Sequence, residues 1–262
     1  MDSLAVVEAG KPIRSFGLIT DIHYADIDDR WNSSRTFIRR YRNSLRLVKD
    51  ACQHWLDGPY PIAFIIQLGD LVDGFAKGNQ TSDVDLQTIL AQLKTSSLSC
   101  PIYHVWGNHE FYNFTRKQLL EGPLCSFETK NTSPGHYGTF EITSRLRLIA
   151  LDTYELSLLG VEEDSEAYDQ AMHYLRKSNA NEDAYDRTGL AGDQQRFIKL
   201  NGGVTETQLG WLGEQLTLAK NRQEKVIVVG KTFVRSCTTL IQLDHEQGYA
   251  KFWIRWKIEV GH

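Results

Sequence analysis

The chain has 262 residues, 41% of them apolar and 24% charged, with a formal net charge of −4. A chain of that length can bury a substantial core as one α/β domain or two smaller ones, and a single domain over residues 1–262 is the simpler arrangement. The weakly acidic balance provides no global field for nucleic acid or an anionic membrane, although it leaves room for local basic clusters, and it disfavours nucleic-acid binding as the main role.

Cys52, Cys100, Cys125 and Cys237 form no Cys-x-x-Cys pair and are too few to staple the chain, which fits reduced thiols. The opening "MDSLAVVEAGKPIR" lacks the hydrophobic region of a signal peptide, and no stretch approaches the ~20 apolar residues of a membrane helix. The expectation is a cytoplasmic monomer that binds neither membrane nor nucleic acid.

In chain order, "FGLITDIHYAD" runs apolar from Phe16 to Ile19 and then breaks into polar residues, as a buried strand ending in a loop does. Ile38, Tyr41, Leu45, Val48, Cys52 and Trp55 recur at three and four, predicting one long helix that Gly58, Pro59 and Pro61 stop. "IAFIIQLGDLVDG" repeats the design with a strand from Ile62 to Leu68, and "SDVDLQTILAQLKTSS" predicts a helix capped by Ser82. "IYHVWGNHEFYN" is a third strand that breaks into ligand-type side chains. Such alternation of strand and helix predicts crossover units around a largely parallel sheet.

Residues 137–143 and 146–151 read as an antiparallel pair turning at Ser144-Arg145, with Asp152 ending the second run. A helix is expected from Glu166 to Lys177, followed by "SNANEDAYD" as a surface loop. Thr205 and Gln208 have capping-box spacing before a helix with the stripe Leu209, Leu212, Leu216 and Ala219. Val226 to Val229 reads as a buried parallel strand, and the alternation in "WIRWKIEV" predicts a half-buried one near the end.

Three apolar strands thus end in Asp21 and His23, in Asp70 and Asp73, and in Asn108 and His109. The carboxyl ends of parallel strands are where sites are built, so these six side chains are expected to converge. Carboxylate, imidazole and amide donors suit manganese, magnesium, iron or zinc, and a bridging carboxylate between two divalent ions is an economical use of so many acids. A lone Asp after a strand is usually a turn former; three such bursts in one chain carry the inference.

"DIH", "GDLVD" and "GNHE", in this order, resemble the first three blocks of the calcineurin-like metallophosphoesterase family. The resemblance implies a four-layer α/β sandwich, two mixed sheets between helices, here with the second sheet incomplete. "QLGDLVDG", "WGNHEFYNF", "LDTYELSLLG" and "LNGGVTETQLGWL" further resemble the manganese-dependent ADP-ribose/CDP-alcohol diphosphatase branch, from about Phe16 to Val229. That branch cleaves ADP-ribose to AMP and ribose 5-phosphate, and CDP-choline to CMP and a phosphoalcohol. The implied roles are Asp21 and His23 on a first metal, Asp70 bridging, Asn108 on a second, His109 as general acid or charge stabiliser at the leaving oxygen, and Asp73 orienting the His109 imidazole. The metals would be two Mn2+, with Mg2+ or Zn2+ as alternatives, and the substrate a small nucleotide diphosphate.

Gly230-Lys231 stands where the family has a Ser-His pair whose His binds metal, and Gly261-His262 is all that echoes a later Gly-His-x-His block. From Gly230 to residue 262 the tail reads as divergent, and His245 is no better placed as a ligand. The alternatives left open are a truncated, weak or inactive form, or a phosphodiesterase or phosphomonoesterase of the same fold. For the substrate, Arg35, Arg39, Arg40 and Arg42 are candidates to meet a diphosphate, and Phe111, Tyr112 and Phe114 to stack a base or pack in the core.

Overall fold

The computed structural model describes residues 15–32, 35–95, 99–127 and 135–231. The strands and helices follow in the order β1 (Ser15–Ile19), β2 (Arg30–Trp31), β3 (Ile38–Arg39), α1 (Asn43–Asp57), β4 (Ile62–Leu68), α2 (Phe75–Gly78), α3 (Ser82–Thr95) and β5 (Ile102–Val105). Then come α4 (Asn108–Asn113), α5 (Arg116–Glu121), β6 (Gly138–Thr143), β7 (Leu146–Ala150), β8 (Leu156–Ser157), α6 (Glu166–Arg176), β9 (Gly202–Gly203), α7 (Glu206–Asn221) and β10 (Lys225–Val229).

The apolar runs at 16–19, 62–68 and 102–105 form the sheet β1-β4-β5, parallel throughout. A second sheet has the order β10-β7-β6, with β7 antiparallel to β6 and parallel to β10. Phe64, Ile66, Val105, Phe127, Leu148, Ala150 and Val229 pack into one cluster between the two sheets. Val48 and Cys52 of α1 and Leu86, Ile89 and Leu93 of α3 share another cluster with Ile19 and Ile102 of the first sheet. Leu212 and Leu216 of α7 cover Ile149 on the second sheet. The layering is therefore helix, sheet, sheet, helix, as expected, except that among the described residues the first sheet is parallel rather than mixed. The expected strand in "WIRWKIEV" lies outside the described residues.

Several local expectations change. The first helix begins at Asn43, not near Arg35, because Ile38 and Arg39 pair with Trp31 and Arg30 in a two-stranded ribbon. The Asn32 carboxamide oxygen accepts from the Thr36 and Phe37 amides, offering the backbone a turn in place of helix. Ser82 is the first residue of α3 rather than its cap, and its hydroxyl donates to Asn113 Oδ1. Thr205 does cap α7, accepting from the Gln208 amide, but the Gln208 side chain turns to Asp152 and Glu155 instead of back to the cap. Gln208 is buried in place of Leu209, which is exposed. Asn179, expected in a surface loop, is fully buried and donates to the Asp186 and Phe197 carbonyls. Finally, β10 is parallel as expected but lies at the edge of its described sheet, with Val229 buried and Val228 exposed.

Candidate metal centre

Beyond the end of the first sheet, two loops continue side by side as though the strands had not stopped. The amides of Asp21, His23 and Tyr24 donate to the carbonyls of Gly69, Asp70 and Leu71, and the Asp73 amide donates back to Tyr24. This ladder holds the residues after β1 and β4 in register. Asp21, His23 and Asp70 all adopt left-handed backbone, with φ of 55°, 47° and 60°. Three of the six non-glycine residues with positive φ among the described residues thus gather here, and strained backbone of this kind clusters at functional sites.

The side chains meet where the two loops face α4. Ligand atoms of Asp21, His23 and Asp70 lie within 4.8 Å of one another, and so do those of His23, Asp73 and His109. His23 belongs to both groups: its Nε2 is 3.5 Å from Asp21 Oδ1 and its Nδ1 is 3.4 Å from Asp73 Oδ2. Asn108 opens α4, where its Nδ2 donates to Tyr112 Oη at 3.0 Å and its Oδ1 faces Tyr154 Oη at 3.5 Å. It borders the cluster through Gly107, so close to Asp70 that a Cβ there would stand 2.3 Å from Asp70 Oδ1.

The expected orienting pair, Asp73 with His109, has a different geometry. Asp73 Oδ2 is 3.9 Å from His109 Nδ1, farther than from His23, while the Gly74 amide donates to His109 Nδ1 at 3.2 Å. An Nδ1 that accepts leaves the proton of neutral His109 on Nε2.

Charge distribution favours a cation here. Burial alone would hold His23 neutral, yet Asp21, Asp73 and Asp70 outweigh it and push its pKa up to about 9. His109 moves the other way, to about 4, through burial and the neighbouring His23. Burial works against the charge of Lys231, but Asp70 and Asp21 overcome it and raise its pKa. The buried His23 Nδ1 has no hydrogen bond, and three carboxylates share the cluster. The donor set therefore fits divalent ions bound through oxygen and nitrogen.

Some contributors are not obvious from the sequence. Glu110, buried in the first turn of α4, accepts from the amides of Asp70, Leu71 and Gly107 at 2.7, 2.8 and 2.7 Å. The last glutamate of "GNHE" thus organises the loops instead of facing a ligand; its hint was an acid among ligand types at a helix start. The Asn113 side chain donates to the carbonyl oxygens of Val72, Asp73 and His109, tying α4 to the β4 loop. Phe111 and Phe114 are core residues, whereas Tyr112 sets its ring against His109 with centroids 4.9 Å apart. Of the four arginines, Arg42 pairs with Asp26 and Asp28, Arg40 faces Asp29, and Arg39 reaches the cluster at 3.4 Å from Asp73.

A two-sheet sandwich with oxygen and nitrogen donors gathered at its strand ends is the arrangement expected of a metallophosphoesterase. The family model described as calcineurin-like phosphoesterase matches residues 14–237, and the chain belongs to that family. A manganese-dependent ADP-ribose/CDP-alcohol diphosphatase of Danio rerio is 38% identical, over 86% of this chain and 72% of its own length. The Mus musculus protein of that name is 36% identical, over 85% and 67%. A crystal structure of a dimetal phosphatase from Danio rerio superposes with a TM-score of 0.78 at 39% identity, over 84% of this chain and 69% of that one. The family match extends to residue 237, past Gly230. No helix among the described residues is long and apolar enough to cross a membrane.

Proposed function

We propose that the chain hydrolyses the diphosphate linkage of small nucleotide diphosphates, ADP-ribose to AMP and ribose 5-phosphate and CDP-choline to CMP and phosphocholine, with two divalent ions, Mn2+ foremost. The observation that carries this reading is the convergence of Asp21, His23, Asp70, Asp73 and His109 from three strand ends onto one cluster, in a chain similar over most of its length to diphosphatases of that specificity.

In this reading Asp21, His23, Asp70 and Asn108 would hold the ions. Bound divalent ions supply a water of lowered pKa and stabilise charge on the phosphoryl oxygens. Asp70 is fixed for this work from two sides: Glu110 takes its amide, and the His109 amide donates to its Oδ1 at 3.0 Å. His109, with Nδ1 engaged by the Gly74 amide, would direct its Nε2–H as a hydrogen-bond donor to the charge on the leaving phosphate oxygen. Asp73, between the two imidazoles, stabilises positive charge on either. Arg39 is half exposed beside Asp73 and offers its remaining donors to a phosphate.

The test is AMP release from ADP-ribose, with CMP release from CDP-choline in parallel, by the full chain in manganese. Asp70→Asn is the blank. Release well above the blank on both substrates is the expected result. A folded chain that cleaves phosphomonoesters or phosphodiesters but neither diphosphate would replace this reading.

A further inference from the structure

Lys231 follows β10 and enters the cluster from the second sheet. Its carbonyl accepts from the Thr153 hydroxyl. Its stem lies against two glycines: a Cβ on either Gly69 or Gly107 would stand 3.0 Å from Lys231 Cγ. The ammonium is 2.7 Å from Asp21 Oδ2, 3.2 Å from Asp70 Oδ2 and 3.3 Å from Thr20 Oγ1. Its three donors thus have three acceptors, and its side chain is only 13% exposed.

We propose that Lys231 is a built-in cation that competes with a divalent ion for the Asp21–Asp70 pair. The proposal rests on the reading of those carboxylates as metal ligands. An ion bound to the same oxygens would sit at roughly 2.0–2.6 Å from them, well inside strong repulsion from an ammonium already there. Either the ammonium withdraws, giving up both ion pairs, or the ion binds more weakly. Withdrawal also gives up the contact of the ammonium with Thr20 Oγ1, while the stem near Cγ stays against the two glycines. Lys231 thereby raises the concentration of divalent ion at which the centre fills.

Titration of the full-length chain with Mn2+ alone, followed by calorimetry and by the electron paramagnetic resonance of free Mn2+, tests this. Lys231→Met keeps the stem and removes the charge; Lys231→Arg keeps a charge. Lys231→Met is expected to bind Mn2+ about tenfold or more tighter than the unaltered chain, or to take up a further equivalent, while Lys231→Arg gains neither. Equal affinity and stoichiometry in Lys231→Met and the unaltered chain overturn the proposal and leave the metal-centre reading standing. Binding unaffected by Asp70→Asn, or no binding by any form, overturns both. If Lys231→Met does not fold, acetylation of the unaltered chain, read by mass spectrometry at Lys231, decides: competition predicts labelling that rises with Mn2+, and labelling that does not change overturns it.

Discussion

The side chain that most tightly specifies the centre is one with no ligand role. Glu110 offers two oxygens to three buried amides, and two of those amides belong to Asp70 and Gly107. Glu110→Gln keeps one acceptor and turns an amide N–H2 group toward the Leu71 amide, so a buried donor loses its partner. The expected cost is about 2–4 kcal/mol in unfolding free energy measured with urea, together with weaker Mn2+ binding because the left-handed turn at Asp70 loses its hold. A variant of undiminished stability and metal affinity would show that the amides find other acceptors. At this scale the sequence was readable for the side chains that gather in the cluster and silent for those that meet backbone. Asp21, His23, Asp70, Asp73 and His109 announce themselves as donors after strands, whereas Glu110 and Asn113 act through amide and carbonyl groups that the one-letter code does not display.

At the scale of elements, α5 shows how a short helix fixes the centre's surroundings. Arg116 is buried, donates to Asp152 Oδ2 at 2.5 Å and to the Tyr154 carbonyl at 2.8 Å, and sets its guanidinium over the Phe111 ring at 4.9 Å. Asp152 also accepts the His136 amide, so the end of β7 is tied to two other segments. Arg116→Met leaves this carboxylate buried without its cation, which is expected to cost about 3–5 kcal/mol in denaturant unfolding; Arg116→Met with Asp152→Asn should recover part of that loss. Apolar runs located β4 and β7 well, because most of each run is buried, and spacing located α7, where three of the four stripe residues, Leu212, Leu216 and Ala219, are buried. It placed the first helix too early, since Ile38 and Tyr41 have helical spacing but the Asn32 turn and the β2–β3 pairing act through hydrogen bonds that periodicity does not register.

For the whole molecule, the acid limb of stability has identifiable origins away from the centre. His104 and His136 are buried, and burial drives their pKa values down, to about 4 and about 3. Both are neutral in the folded chain: His104 Nδ1 meets Gln67 Oε1 at 3.1 Å, and His136 Nε2 accepts the Ser126 amide while its ring stacks on Trp106. The unfolded chain takes up these protons near the ordinary value of 6.5, so their contribution is complete above that pH and drains away as the pH falls through 4 and 3. The loss is on the order of 2–3 kcal/mol per histidine by pH 4. Unfolding free energies measured at pH 7, 5.5 and 4.5 should decline less steeply in a His104→Asn/His136→Asn variant than in the parent; parallel curves would assign the acid limb to other groups. The layered architecture was legible because strands and helices alternate. The place of β10 at the edge of the described sheet was not, since four β-branched residues in a row look alike in the middle of a sheet and at its border.

The ladder between the two ligand loops has one more consequence, and it concerns inheritance. Asp21, His23 and Asp70 are held by main-chain hydrogen bonds in a left-handed conformation that Asn, Asp and His tolerate far better than other side chains, glycine apart. Those three are also the side chains that bind hard and intermediate cations. Random change at these positions is therefore filtered by the backbone before chemistry is consulted: what the turn accepts is largely what an ion accepts. A lineage can exchange one donor for another here, and with it one ion for another, while the chain around the donors keeps its path.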